Sequence, residues 1–194
     1  DRLGPPGRLR PATCRTLFGL LAATGLRISE ALKLTRADVD LEAGVLDIRD
    51  AKCHQHRFVP LHASVTPHLQ AYAQLRDQLV PGPCCDRFFL RDDGRAIDQR
   101  SMLYALHRVC RQLGWQVRGD HAHHRLHDLR HTFIVRSVLR LYEQGGDVER
   151  GLPVLSIYVG HAKVVDTYWY LTGIPELMAI AAERFHRYAQ GEPT

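Results

Sequence analysis

The sequence predicts an α+β fold that is mostly α, a helical domain with a small antiparallel β-sheet on one side. Three observations lead there. Apolar residues recur at helical spacing through most of the chain. Two short alternating stretches, VLDIR (45–49) and RFVPL (57–61), flank a polar link. Breakers such as Gly82-Pro83 and Gly145-Gly146 punctuate the remainder. At 194 residues, with 45% hydrophobic and 24% charged residues, the chain has the composition of a soluble globule large enough for one good core.

Taken in order, Leu17, Phe18, Leu20 and Leu21 mark a first helix over 11–23, which Gly25 is placed to end in a left-handed conformation. Ser29, Glu30 and the run ALKL start a second helix. The short link between the two forces a sharp corner, and Arg27 sits on it. VLDIR and RFVPL read as a hairpin joined by DAKCHQH, with Pro60 restricting the second strand to an edge or an end. RFFL at 87–90 is a candidate third strand. Further helices are expected at roughly 64–80, 98–113, 127–144, 152–159, 164–171 and 175–189. No internal domain boundary is visible.

A net charge of +5 and a pI near 9.1 point to a polyanionic partner. Of 26 basic residues, only Lys33, Lys52 and Lys163 are lysine. Genome composition is one explanation of that bias; the value of the guanidinium as a phosphate fork is the other. Five cysteines, odd in number and without a CxxC pair, indicate neither a disulfide framework nor a zinc ribbon. They suit a reducing, cytoplasmic setting. There is no signal-peptide-like segment in DRLGPPGRLRP and no apolar run of membrane-spanning length, so no membrane partner is expected.

Chemistry is carried by residues scattered from Arg27 to Tyr170. Arg27 lies in TGLRISE, Lys52 in the hairpin link, His127 and Arg130 in LHDLRH, and His161 after Gly160. Tyr170 follows His161 by nine residues, with Thr167 between them. His127 and Arg130, three apart, share one helix face and could reach one phosphate. Singly, each has a plainer reading: a corner arginine, a solvated turn lysine, a satisfied surface histidine. Tyr158 and Tyr168 compete with Tyr170 as nucleophile, and Tyr168 with Trp169 also reads as an aromatic packing face. His121, His123, His124, His127 and His131 crowd together, and His127 with His131 at i, i+4 would suit a zinc site on a helix, although no acidic or cysteine third ligand has suitable spacing.

In this order and spacing the motifs T-G-L-R-x-S-E, H-D-L-R-H and G-H…T-x-x-Y closely resemble the tyrosine recombinase (phage integrase) family, catalytic domain. The longer interval between Arg130 and Gly160 resembles members found on transposons and other integrating elements. The resemblance implies a site-specific recombinase that cleaves and rejoins double-stranded DNA through a 3′-phosphotyrosyl bond, without metal, ATP or any other cofactor and with no small-molecule substrate. It implies Tyr170 as nucleophile, Lys52 as the acid that protonates the leaving 5′ oxygen, and Arg27, His127, Arg130 and His161 around the phosphate. Glu30 would orient the site without reacting. In the hairpin link, Cys53, His54, Gln55 and His56 depart from the glycine-rich, basic loop common in the family.

The expected organisation is a linker or arm at 1–10, a catalytic domain at 11–173, and a C-terminal helix and tail at 174–194. In that last segment Ile174, Leu177, Met178, Ala181, Phe185 and Tyr188 form an apolar stripe. The helix either packs on its own domain or docks on a neighbouring protomer of a DNA-assembled homotetramer. The short arm suggests a catalytic domain separated from an N-terminal DNA clamp. The alternatives are a type IB topoisomerase-like strand transferase, a DNA-binding module without catalysis, and a zinc-dependent nuclease.

Overall fold

A computed structural model describes residues 7–49, 56–117, 121–161, 163 and 165–168, together with Ala179, Ala182, His186 and Gln190. The chain divides into two compact units, residues 1–130 and 131–194. Helices dominate, and among the described residues the one multi-stranded sheet is small and antiparallel, as expected from the sequence.

In the first unit, α1 (Leu9–Thr24) buries Leu9, Cys14, Leu17, Leu20 and Leu21. Arg8, at its N-cap, has no acceptor to offer the first helical amides. Asp92 supplies one instead: its Oδ1 accepts from the amides of Leu9 at 2.7 Å and Arg10 at 3.3 Å. Gly25 ends the helix at φ 64°, a left-handed conformation that costs a residue with a Cβ. A sharp turn then leads into α2 (Ile28–Lys33), with Arg27 at its N-cap.

The sheet has strand order β1 (Val39–Asp40), β2 (Val45–Ile48), β3 (Arg57–Pro60), all antiparallel. Register pairs Val45 with Pro60 and Ile48 with Arg57, so Pro60 lies at the outer end of an edge strand, where its missing N–H is harmless. β1 escaped the sequence reading because a two-residue strand carries almost no periodic signal. α3 (Thr66–Leu79) packs on α1, and α4 (Gln99–Leu113) starts at Asp98, whose side chain accepts from the Ser101 amide at 2.8 Å. Leu46, Val59, Leu69, Tyr72, Phe88, Phe89, Leu90 and Met102 complete the core.

RFFL at 87–90 is not a strand. Its backbone makes two isolated bridges, Thr35 with Arg87 and Leu90 with Ala96. Scattered backbone and side-chain partners satisfy others: the Phe88 amide donates to the Leu34 carbonyl at 2.8 Å, the Leu90 amide donates to the Tyr72 hydroxyl at 3.0 Å, and Thr13 Oγ1 donates to the Leu90 carbonyl at 2.8 Å. A buried segment whose polar groups are met this way needs no ladder.

Helix α5 (His127–Glu143) places His127–Arg130 in the first unit and continues in the second. The core of the second unit is Ile134, Val138, Leu152, Leu155 and Val159, with Phe133 stacked on Tyr158 at a ring separation of 5.8 Å. α6 (Val148–Val159) begins four residues earlier than its apolar pattern suggests, because Asp147 caps it by accepting from the Arg150 amide. Pro153 sits inside it, where the missing N–H costs a helix bond without ending the helix. The expected helix at 164–171 is seen as α7 (Val165–Tyr168); its remainder and nearly all of 175–189 lie outside the described residues. Among the described residues no helix is long and apolar enough to cross a membrane.

Candidate active site

The corner between α1 and α2 is the centre of the site in the first unit. The left-handed turn at Gly25 leaves its carbonyl as an acceptor, and Arg130 Nη1 donates to it at 2.7 Å across 105 residues of sequence. The Arg130 side chain is 1% exposed, so this guanidinium has been taken out of water. The hydrogen bond fixes Arg130 two residues from Arg27. His127 stands one helical turn before Arg130, exposed at the start of α5. That start is held by Asp128, which reaches back to accept from the Arg125 amide at 2.8 Å and pairs with the Arg125 guanidinium.

Glu30 is the hub. Its Oε2 accepts from the Arg27 backbone amide at 3.0 Å, the carboxylate half of a capping box. Arginine has no acceptor, so the reciprocal half cannot form. Oε1 accepts from Arg27 Nη1 at 3.0 Å. Arg57, from the first position of β3, then grips both oxygens as a fork, Nη1 to Oε1 at 3.1 Å and Nη2 to Oε2 at 3.0 Å. Burial would raise the Glu30 carboxyl, but the hydrogen bonds and charge of Arg57, and then of Arg27, hold it below the usual carboxylate range. The motif around Arg27 includes Glu30 but gives no sign of Arg57. No spacing rule links residues 27 apart on a strand and a helix.

Beside this hub a cavity of about 380 Å³ is lined by Glu30, Lys33, Asp38, Asp47, Arg49 and Arg87, among others. Its charges pair internally: Arg49 Nε lies 2.7 Å from Asp47 and 3.1 Å from Asp38, and His56 bonds Asp47. It reads as a braced hairpin base rather than an anion site.

In the second unit, Gly160 ends α6 at φ 71°, and the amide of His161 donates to the Ser156 carbonyl at 2.9 Å. The ring of His161 is then fixed by Thr167, whose hydroxyl lies 2.7 Å from Nδ1. Thr167 is fully buried, so this contact is shielded from water. Tyr158, partly buried, packs against the core of this unit with its ring stacked on Phe133. Lys52 and Tyr170 lie outside the described residues, as does Trp169.

Two of the histidines suspected of binding metal, His123 and His124, have aromatic neighbours. His107 Nε2 donates to the His124 carbonyl at 2.8 Å, the His107 and His123 rings are 5.4 Å apart, and Trp115 flanks His124. Among the described residues no three His, Cys, Asp or Glu side chains converge on a metal-sized space.

These two constellations were compared with known proteins. The phage integrase family profile matches residues 8–173. Among curated proteins, y4rB of Sinorhizobium fredii, named as an integrase/recombinase, is 42% identical over 93% of this chain. The tyrosine recombinase XerA of Thermococcus kodakarensis is 28% identical over 93%. The chain spans 58% and 57% of the length of these two relatives. Among solved structures, XerA recombinase superposes with a TM-score of 0.71 at 22% identity, covering 94% of this chain and 58% of its own. XerH bound to its difH substrate after cleavage also gives 0.71, at 23% identity, covering 96% and 49%. At those identities the structures establish the fold, and the sequence matches establish kinship. With Arg27, His127, Arg130 and His161 each standing in its motif, the chain belongs to the phage integrase family, the tyrosine recombinases.

Proposed function

We propose that this chain is the catalytic part of a site-specific DNA recombinase that cuts and rejoins strands through a covalent tyrosine–phosphate bond. The observation that carries the proposal is the hydrogen bond from Arg130 to the Gly25 carbonyl, which sets two arginines of separate motifs around one corner. Two preorganised guanidinium groups suit a phosphodiester whose non-bridging oxygens gain charge in the transition state.

In the proposed reaction the Tyr170 oxygen attacks a DNA phosphate and the 5′ oxygen leaves. Lys52 gives that oxygen its proton, since an alkoxide is a poor leaving group near neutral pH. Arg27, Arg130, His127 and His161 stabilise the phosphorane-like charge. Attack by a 5′ hydroxyl of a partner strand reverses the step. Bond energy is kept in the phosphotyrosine, so ATP and Mg²⁺ have no thermodynamic role. Double-stranded DNA is the partner, as for the XerH complex named above, and a homotetramer on two duplexes in the cytoplasm is the working assembly.

The test is a denaturing gel for covalent adduct on a nicked suicide substrate that carries the cognate site. Wild type is expected to trap adduct in the presence of chelator. Tyr170→Phe is expected to abolish it while leaving folding and non-covalent binding intact. Adduct that persists in Tyr170→Phe and disappears in Tyr168→Phe would move the nucleophile to Tyr168, and no adduct from wild type would leave a DNA-binding module. Relaxation of a supercoiled plasmid without exchange between duplexes would point to a topoisomerase-like enzyme.

A further inference from the structure

The feature with no assigned role is the Arg57 fork. A carboxylate offers about four lone-pair sites. Four donors meet Glu30: Arg57 Nη1 and Arg27 Nη1 on Oε1, Arg57 Nη2 and the Arg27 backbone amide on Oε2. The carboxylate is therefore saturated, and being 4% exposed it gains nothing from water. Such a group is not a base or a ligand. It is a fixed anchor shared by two cations.

Sharing has a direction. Arginine opposite a lone buried carboxylate prefers to bind side-on, through two parallel hydrogen bonds. With Oε2 already filled by Arg57 and by the Arg27 amide, the Arg27 guanidinium meets Glu30 through Oε1 and cannot take both oxygens. We infer that Arg57 is a positioning residue: by occupying the Glu30 carboxylate it keeps Arg27 from collapsing side-on onto Glu30, and so holds the Arg27 guanidinium toward the DNA phosphate. In this role Arg57 acts through Glu30. It also pairs with Ile48 at the last register position before the link that carries Lys52. The same carboxylate thereby ties the root of that link to the N-terminus of α2. The inference rests on the recombinase reading for its consequence on rate, and on the ion-pair geometry for everything else.

Arg57→Met removes the fork and keeps the aliphatic stem. It is expected to slow adduct formation by about 10²-fold, the scale of a group displaced by an ångström or so. The diagnostic is Glu30→Gln in the Arg57→Met background. A neutral amide cannot hold Arg27 side-on through charge, so the double variant should be several-fold faster than Arg57→Met. A merely structural role for Arg57 gives a double variant as slow as, or slower than, the single, and that result overturns the inference. If Arg57→Met melts below the assay temperature, Arg57→Lys replaces it; one donor instead of a fork should give the same ordering with a smaller defect.

A second readout does not depend on cutting DNA. In nitrogen-15 NMR the Arg27 side-chain resonances should shift in Arg57→Met, and return toward their original positions in the double variant. Unchanged Arg27 resonances in Arg57→Met overturn the inference whether or not the protein cleaves. Absence of adduct from wild type, with the NMR shifts present, sinks the recombinase reading and upholds the positioning role.

Discussion

The two units hold the residues of their motifs by opposite means. In the first, Arg27 and Arg130 are held by strong acceptors: a buried carboxylate and a backbone carbonyl turned outward by a left-handed glycine. In the second, His161 is held by one neutral hydroxyl. Arginine is always charged and its long stem must be stopped from wandering, so a fixed negative or carbonyl partner suits it. A threonine hydroxyl both donates and accepts, so it can orient the imidazole in either protonation state. The difference teaches that a permanent charge is aimed by strong fixed acceptors, whereas an imidazole ring is oriented by a single shielded hydroxyl.

The comparison can be broken first at its strongest point. Arg130→Ala should lower the rate of adduct formation by about 10²–10³-fold, the scale of removing one preorganised donor from a transition state. DNA affinity at moderate salt should fall much less, because the many other arginines carry the counterion-release contribution. A cleavage rate within tenfold of wild type would remove Arg130 from the reacting centre.

Next comes the pH arm of the first unit. Glu30 has its carboxyl lowered in the folded state, so its contribution to stability is complete above the ordinary glutamate range and is lost as pH falls through it. At neutral pH, Glu30→Gln should cost on the order of 1–3 kcal/mol, because two partly exposed guanidinium groups lose the buried carboxylate they share. The gap in melting temperature between wild type and Glu30→Gln should be widest near pH 7 and close progressively below about pH 4. A gap independent of pH would mean that Glu30 acts through shape instead of charge.

The smallest expected effect sharpens the second unit. Thr167→Val keeps volume and deletes the hydroxyl, and should slow cleavage by about tenfold or less, as expected for loss of one neutral hydrogen bond. Thr167→Ser should restore most of the rate. A Thr167→Val defect equal to that of Arg130→Ala would erase the distinction between the two units.

Local rules made much of this molecule legible. The end of α1 at Gly25, the hairpin with Pro60 at its rim, and the start of α5 at His127 all follow from short-range patterns. What stayed illegible depends on partners far along the chain. RFFL has strand composition, but Thr13, Leu34, Tyr72 and Ile97 take up its backbone groups. The beginning of α6 was hidden because its first turn, 148–151, carries little apolar pattern, although Asp147 caps a helix that runs through it and through Pro153. Arg57 was hidden because its partner lies on another element. The fold class and the family are established, whereas the roles of Arg27, Lys52, His127, Arg130, His161 and Tyr170 rest on the family resemblance.

The bond between Arg130 and Gly25 also sets a schedule. A ribosome adds about 5–20 residues per second, so the 105 residues separating the two take roughly 5–20 s to synthesise. The α1–α2 corner emerges early and waits that long for the side chain that completes it. During that interval the nascent chain carries Arg27 without Arg130. Any strand-cutting competence that depends on both arrives in one step, only after the helix bearing Arg130 has been made.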